Sequence, residues 1–262
     1  MDDVILITGA QGSIGSMLRN SLRRSGRHLR LLDLAPLSAL APDENADLIN
    51  GSFLDPTTIA AACEGVRAIV HLGGLSQAGY SWPEYLEVNI HGTQVLADAA
   101  RHAGVERVVY ASSNHAVGFA PLRDGGVVPD YEFPRPDSYY GVSKVASESL
   151  LSLYHDRYGL NAICLRIGSY RERPFDRRSL WSWLSPGDCT RLVEAALSTA
   201  NPGFRVVWGV SANSRSKVSL EEARAIGYEP LDNAEDFASE IVDDQSVWND
   251  VGGPYTALDS SS

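Results

Sequence analysis

The chain is short of cysteine, of basic excess and of long apolar runs, and each shortage removes a class of protein. Cys63, Cys164 and Cys189 are an odd set of three in 262 residues, with no metal-ligand spacing. That argues against a disulfide framework and a zinc site, so no metal is expected and a reducing compartment is. Lysine and arginine total 22 against 33 aspartates and glutamates, a formal net charge of −11. A nucleic-acid partner is thereby disfavoured, because a phosphate backbone demands a basic face. A small anionic ligand is still allowed, since one local arginine outweighs a diffuse negative field. No apolar run approaches the roughly 20 residues of a membrane helix. The N-terminus passes from Met1 into the apolar Val4–Thr8 with no basic leader, so the expectation is a cytoplasmic protein without membrane attachment.

What is present is an alternation of short β-rich apolar runs with helix-period segments, at a length sufficient for a full α/β core. Strands are expected near Val4–Thr8, His28–Asp33, Ala68–Leu72, Arg107–Ala111 and Asn161–Ile167, with a weaker one at Asp47–Asn50. Helices are expected near Ser13–Ser25, Pro56–Glu64, Pro83–Ala103 and Tyr139–Tyr158. This pattern predicts a doubly wound parallel sheet of Rossmann type in the α/β class. After Gly168 it loosens into a loop over Tyr170–Pro186, a helix near Gly187–Thr199, a strand near Phe204–Trp208 and a helix near Leu220–Ile226. The reading is therefore a regular part over residues 1–168 and a small C-terminal elaboration over 169–262. Trp248 and Tyr255 interrupt an otherwise polar tail, and their bulk predicts docking, on this subunit or a neighbour, rather than a free end.

Thr8-Gly9-Ala10-Gln11-Gly12-Ser13-Ile14-Gly15 joins the first expected strand to the first helix. Gly9 permits the tight turn, Gly12 lets backbone approach a pyrophosphate, and Gly15 allows close helix–strand packing. The N–H groups that open the helix, around Gln11, Ser13 and Ile14, then face the phosphates. The strand–turn–helix context raises an otherwise weak glycine pattern to a dinucleotide site. Asp33 closes the second strand about twenty residues on, where a carboxylate accepts ribose hydroxyls and repels an added phosphate. NAD is the expected cofactor.

Tyr140 and Lys144 in Tyr139-Tyr140-Gly141-Val142-Ser143-Lys144 lie one helical turn apart on one face. A phenol with the ordinary value near 10 costs about 4 kcal/mol to use as a base near pH 7, and a nearby ammonium offsets part of that. Ser112 and Ser113 end the strand at the carboxyl edge of the sheet, where open α/β sheets bind ligands. A hydroxyl there meets the reacting oxygen beside Tyr140.

With these features in order, the sequence resembles the extended short-chain dehydrogenase/reductase family over its first two-thirds. The resemblance implies Ser113, Tyr140 and Lys144 as the catalytic set, in an NAD-binding domain at 1–168 with a small substrate-binding region at 169–262 packed on it. It places Ser52, Phe53, Leu72, Gly73 and Gly74 beside the cofactor and Asn89, in Asn89-Ile90-His91-Gly92-Thr93, among the residues supporting it. Ser52 stands where relatives usually carry an acid. The family self-associates, which implies a homo-oligomer. Sugar epimerases and dehydratases with tightly held NAD share the fold and stay open as an alternative.

Four further strings, His71-Leu72-Gly73-Gly74-Leu75-Ser76, Ala111-Ser112-Ser113-Asn114-His115, Arg166-Ile167-Gly168-Ser169 and Val207-Trp208-Gly209-Val210-Ser211-Ala212-Asn213, resemble the uronate dehydrogenase branch. That branch oxidises galacturonate or glucuronate at the anomeric carbon to an aldarolactone. By position it implies a sugar pocket of Ser76, Ser113, Asn114, His115, Tyr140, Ser169 and Arg178. A planar guanidinium at Arg178 suits a sugar carboxylate. Arg171, Arg173 and Arg177 in the same loop leave that assignment open to a neighbour. Fewer than about a hundred residues follow Gly168, which favours a small sugar acid over a nucleotide sugar.

Overall fold

The computed structural model describes residues 3–24, 26–76, 79–122, 126–241 and 248–257. The first strand, β1 (Asp3–Thr8), buries Ile5, Leu6 and Ile7 completely, as a strand covered on both faces must. It is joined by β2 (Arg27–Asp33), β3 (Ala46–Asn50), β4 (Ala68–His71), β5 (Arg107–Ser113) and β6 (Asn161–Ile167). Two two-residue strands, β7 (Ser169–Tyr170) and β8 (Trp183–Leu184), pair with each other, and β9 (Phe204–Gly209) returns to the main sheet. The main sheet runs β3-β2-β1-β4-β5-β6-β9 with every pairing parallel. Strand order reverses between β1 and β4, and the crevice of a doubly wound sheet opens at such a reversal.

Helices α1 (Ser13–Ser21) and α7 (Pro186–Ser198) cover one face, where Leu18, Leu22, Leu192 and Ala196 pack on Ile5, Ile7 and Val109. Helices α2 (Pro56–Cys63), α4 (Gly92–Ala103) and α5 (Tyr139–Tyr158) cover the other through Ile59, Leu96 and Leu151. Each fully buried leucine contributes roughly 1.5–3 kcal/mol. Among the described residues no helix is long and apolar enough to cross a membrane. Because β9 and α7 belong to the main sheet and its cover, the boundary after Gly168 runs through one continuous core.

Three places differ from the sequence reading. The single helix expected over Pro83–Ala103 is α3 (Trp82–Tyr85), a π-helical stretch at Leu86–His91 and then α4. The wider turn carries Asn89 inward, where it is bonded on both sides. The loop expected over Tyr170–Pro186 holds β7, β8 and the short α6 (Ser179–Ser182), and Asp176 accepts the Ser179 N–H at 2.7 Å to start that turn. Helix α1 stops at Ser21 rather than Ser25, which lies outside the described residues.

Candidate active site

At the β1–α1 turn the backbone is packed too tightly for side chains. Gly9 has φ +69°, and a Cβ there would sit 2.7 Å from the Gly73 nitrogen. A Cβ on Gly15 would meet the Gly9 carbonyl oxygen at 2.3 Å. Gly12 is different: beyond that same carbonyl at 3.2 Å nothing crowds it, so its outer face is open to a ligand. The first N–H groups of α1, at Ser13, Ile14 and Gly15, line this opening and have no intrahelical acceptor. Asp33 sits opposite and accepts the Gln11 N–H at 2.8 Å and the Ala35 N–H at 2.9 Å.

Two cavities share Gly9, Gly12, Leu72 and Ser76 as walls. One, of about 440 Å³, is lined also by Gln11, Asp33, Ser52, Phe53, Gly73 and Gly74. The other, of about 310 Å³, is lined also by Ser13, Ile14, Gly15, Ser113, Asn114, His115, Tyr140 and Lys144. A dinucleotide fits the pair: open backbone for a pyrophosphate at their junction, a carboxylate at one end and the reactive set at the other. A wider groove of about 1110 Å³ between α1 and the Tyr170–Phe175 loop holds none of that set. Asn89 lines neither cavity. Its Oδ1 accepts the Leu75 N–H at 2.8 Å and its Nδ2 donates to the Leu75 carbonyl and to Ser143 Oγ, tying the loop after β4 to α5. Ser52 Oγ accepts the Leu54 N–H at 3.1 Å, which leaves its own proton for a ligand.

Helix α5 brings up Tyr140 and Lys144 from an N-cap at Ser138, whose Oγ accepts the Gly141 N–H at 3.1 Å. Strand alternation separates the two serines of β5. Ser112 turns away and donates to Glu148 Oε1 at 2.5 Å, within a buried cluster in which Arg166 grips the same carboxylate. Ser113 turns into the cavity and hydrogen-bonds the Tyr140 phenol. Lys144 Nζ donates to the Ala111 carbonyl at 2.8 Å and lies 5.4 Å from the centre of the Tyr140 ring. Burial pushes the phenol up to about 12, although the bond to Ser113 works to lower it. Burial also brings the Lys144 ammonium down to about 8, with Glu148 opposing. A phenolate near pH 7 therefore costs about 7 kcal/mol here, not the 4 of a free tyrosine. The bound reactants must supply the difference.

The sugar-pocket candidates form two groups. Ser76, Ser113, Asn114, His115 and Tyr140 line the smaller cavity. Ser169 and Arg178 stand behind Asn114 outside that lining. Arg178 Nη1 donates to Ser169 Oγ at 3.1 Å, while Nε and Nη2 both donate to the Val251 carbonyl, at 3.2 and 2.8 Å. With its amide turned so that Nδ2 donates to the Ile167 carbonyl at 3.1 Å, Asn114 accepts from Arg178 Nη2 at 2.6 Å. The side edge of the guanidinium is thus occupied by backbone, and its end edge, at Nη1 and Nη2, is the one directed toward the pocket residues. The neighbouring arginines are exposed: Arg173 pairs with Glu240 at 3.0 Å and Arg171 lies over the Phe175 ring.

A family model described as the NAD dependent epimerase/dehydratase family matches residues 5–180. The chain belongs to that family. A uronate dehydrogenase from Pseudomonas syringae pv. tomato is 38% identical, covering 97% of this chain and 93% of the relative. An NAD-dependent glucose-6-phosphate dehydrogenase from Haloferax volcanii is 36% identical, covering 92% and 97%. Among solved structures, a mutant uronate dehydrogenase from Agrobacterium tumefaciens complexed with NAD superposes with a TM-score of 0.90 at 34% identity, covering 98% of this chain and 97% of that one.

In this member of the epimerase/dehydratase family, three residues at the site were not found from sequence. Asp137 bonds His115 Nδ1 at 2.7 Å, and Val251 holds Arg178. Tyr255, noted only as tail bulk, sets its ring edge-on to His115 at 4.5 Å. Its short 3₁₀ turn, Gly253–Thr256, is carried by a strap running against residues 118–122. The Val251 and Gly252 N–H groups donate to the Ala120 and Gly118 carbonyls at 3.0 and 2.8 Å. Its neighbour Trp248 lies over Gly253. The described part of the tail, residues 248–257, does dock, and it docks on the site.

Proposed function

We propose that the protein is an NAD-dependent uronate dehydrogenase, oxidising galacturonate or glucuronate at the anomeric carbon to the aldarolactone. The observation that carries this reading is Arg178, a half-buried guanidinium whose Nη1 donates to Ser169 and whose Nη2 donates to Asn114, a residue lining the cavity that holds Tyr140 and Ser113. A guanidinium is the side chain that best suits a sugar carboxylate. Gly9, Gly12, Gly15 and Asp33 would hold the dinucleotide, and NAD bound there supplies the acceptor for hydride.

The chain's own groups do the rest. Arg178 anchors the sugar carboxylate and so fixes the ring in the cavity. Ser113 and Tyr140 bond the anomeric oxygen from two sides, and Tyr140 as phenolate takes its proton. Lys144 stabilises that phenolate electrostatically. Ser169 and Arg178, from the region after Gly168, contribute the wall that recognises the acid group. Three buried free thiols suit a reducing, cytoplasmic setting.

The test is absorbance in the NADH band after mixing protein with free NAD and a panel of sugars. The panel is galacturonate, glucuronate, glucose, arabinose, glucose 6-phosphate and a UDP-hexose. The reading predicts a rise with the two uronates well above the others. A flat trace throughout sinks it in favour of an epimerase or dehydratase with retained cofactor, and a faster rise with glucose 6-phosphate moves the specificity to a sugar phosphate.

A further inference from the structure

Asp137 is a carboxylate whose side chain has no solvent exposure, and its one ion-pair partner among the described residues is His115. Burying such a group is costly unless its charge is used. The fold has built it a seat. A Cβ on Gly118 would lie 1.9 Å from Asp137 Oδ2, and one on Gly252 would lie 2.0 Å from it, so two backbone segments leave room for the carboxylate alone. Oδ1 accepts the Ser138 hydroxyl at 3.0 Å and Oδ2 meets His115 Nδ1 at 2.7 Å. The imidazole is held edge-on by Tyr140 at 5.9 Å and Tyr255 at 4.5 Å. Its Nε2 has no hydrogen-bond partner among the described residues, and the ring lines the cavity with Ser113, Asn114 and Tyr140.

We propose that Asp137 is a positioning residue for the reaction: it holds the proton of His115 on Nδ1 and so presents a bare Nε2 as the acceptor for one hydroxyl of the sugar. A carboxylate only accepts, so a bond to it places the proton on Nδ1. In neutral histidine the other nitrogen is then an acceptor, and a ring clamped on both sides keeps that lone pair aimed. A sugar hydroxyl that donates to Nε2 is fixed in direction, which orients the anomeric carbon beside Tyr140. The role of Nε2 rests on the reading of this cavity as a sugar site; the tautomer does not.

The tautomer is therefore measured first, on the unaltered protein. A ¹⁵N-edited imidazole spectrum at pH 8, with His115 assigned through His115→Gln, is expected to show a protonated Nδ1 and an unprotonated Nε2. The opposite tautomer, or an imidazolium, overturns the proposal. Steady-state kinetics then follow, using whichever sugar the panel shows to be oxidised. Asp137→Ala is expected to lower kcat/KM for the sugar by about 10- to 100-fold, as loss of a partner that orients a histidine does, with KM for NAD within twofold. Adding Asp137→Ala to His115→Gln is expected to cost no more than about a further twofold, because Asp137 acts through that ring. Losses that multiply in the double variant, or an Asp137→Ala protein within twofold of the parent, refute it. If Asp137→Ala does not fold, the spectrum of the parent decides alone. A parent inactive on uronates defeats the proposed substrate and leaves the tautomer result standing.

Discussion

Replacing Lys144 by methionine should change the pH dependence of turnover as well as its rate. The structure places Nζ 5.4 Å from the centre of the Tyr140 ring, a separation worth about 3 kcal/mol for two charges at an effective dielectric of 20. Losing it lowers the phenolate population by about 100-fold at neutral pH. The sign of the pH effect follows from the two shifted groups. Below about 8 Lys144 is charged and Tyr140, near 12, is almost wholly protonated, so activity rises about tenfold per unit as phenolate accumulates. Above about 8 the lysine loses its proton, and the phenolate gained is cancelled by the attraction lost. The parent profile should therefore rise and then level near pH 8, a break that belongs to the lysine–tyrosine pair and not to the tyrosine alone. The assay is initial NADH formation with sugar and NAD both well below saturation, so that the free enzyme's ionisations are read. In Lys144→Met the profile should keep rising through pH 8 and 9 from its lower base, closing on the parent. An unchanged break near pH 8, or a loss of equal size at pH 7 and pH 9.5, would refute the reasoning.

Arg178→Met should lower kcat/KM on uronates by about 10- to 100-fold, the worth of a charge-assisted bond, while leaving neutral aldoses within threefold; parallel kinetics on glucuronate and glucose check it. Asp33→Ala removes the acceptor fixed by the Gln11 and Ala35 N–H groups, so KM for NAD should rise about tenfold and discrimination against NADP should narrow. Burial holds His71 down at about 3, with Nδ1 bonded to Thr8 Oγ1 at 2.7 Å. Unfolding lets it take a proton near 6.5, so its contribution is full above that pH and is lost as pH falls toward 3, by up to about 1.4 kcal/mol per unit. Urea midpoints between pH 6.5 and 4 should accordingly fall less steeply in His71→Asn than in the parent. An equal slope would contradict this.

The parts of this site that were legible in sequence are those whose chemistry fits inside one local segment. Gly9, Gly12 and Gly15 lie within a single strand–helix turn, and Tyr140 and Lys144 within a single helical turn, so spacing alone carries their geometry. Ser113 is singled out from Ser112 by family resemblance alone, and the structure separates the two by alternation along β5, giving Ser112 to Glu148. The rest depends on contacts between distant segments. Arg178 takes its direction from Val251, 73 residues later, and no pattern in either segment signals the other. Asp137 sits in a turn between Pro136 and Ser138, where an aspartate is ordinary turn chemistry. What marks it is a slot made by Gly118 and Gly252, and that exists only once the tail has docked. The π-helical turn at Leu86–His91 is similar, because Asn89 is drawn inward by partners in other elements.

Galacturonate carrying deuterium at its anomeric carbon tests the chemistry at its centre. Mixed with the protein and unlabelled NAD, it should give NADH with one deuterium per turnover, a lactone without it, and no exchange into recovered galacturonate when NAD is omitted. Unlabelled NADH, or sugar that changes configuration with no net reduction of NAD, would contradict anomeric oxidation at Tyr140.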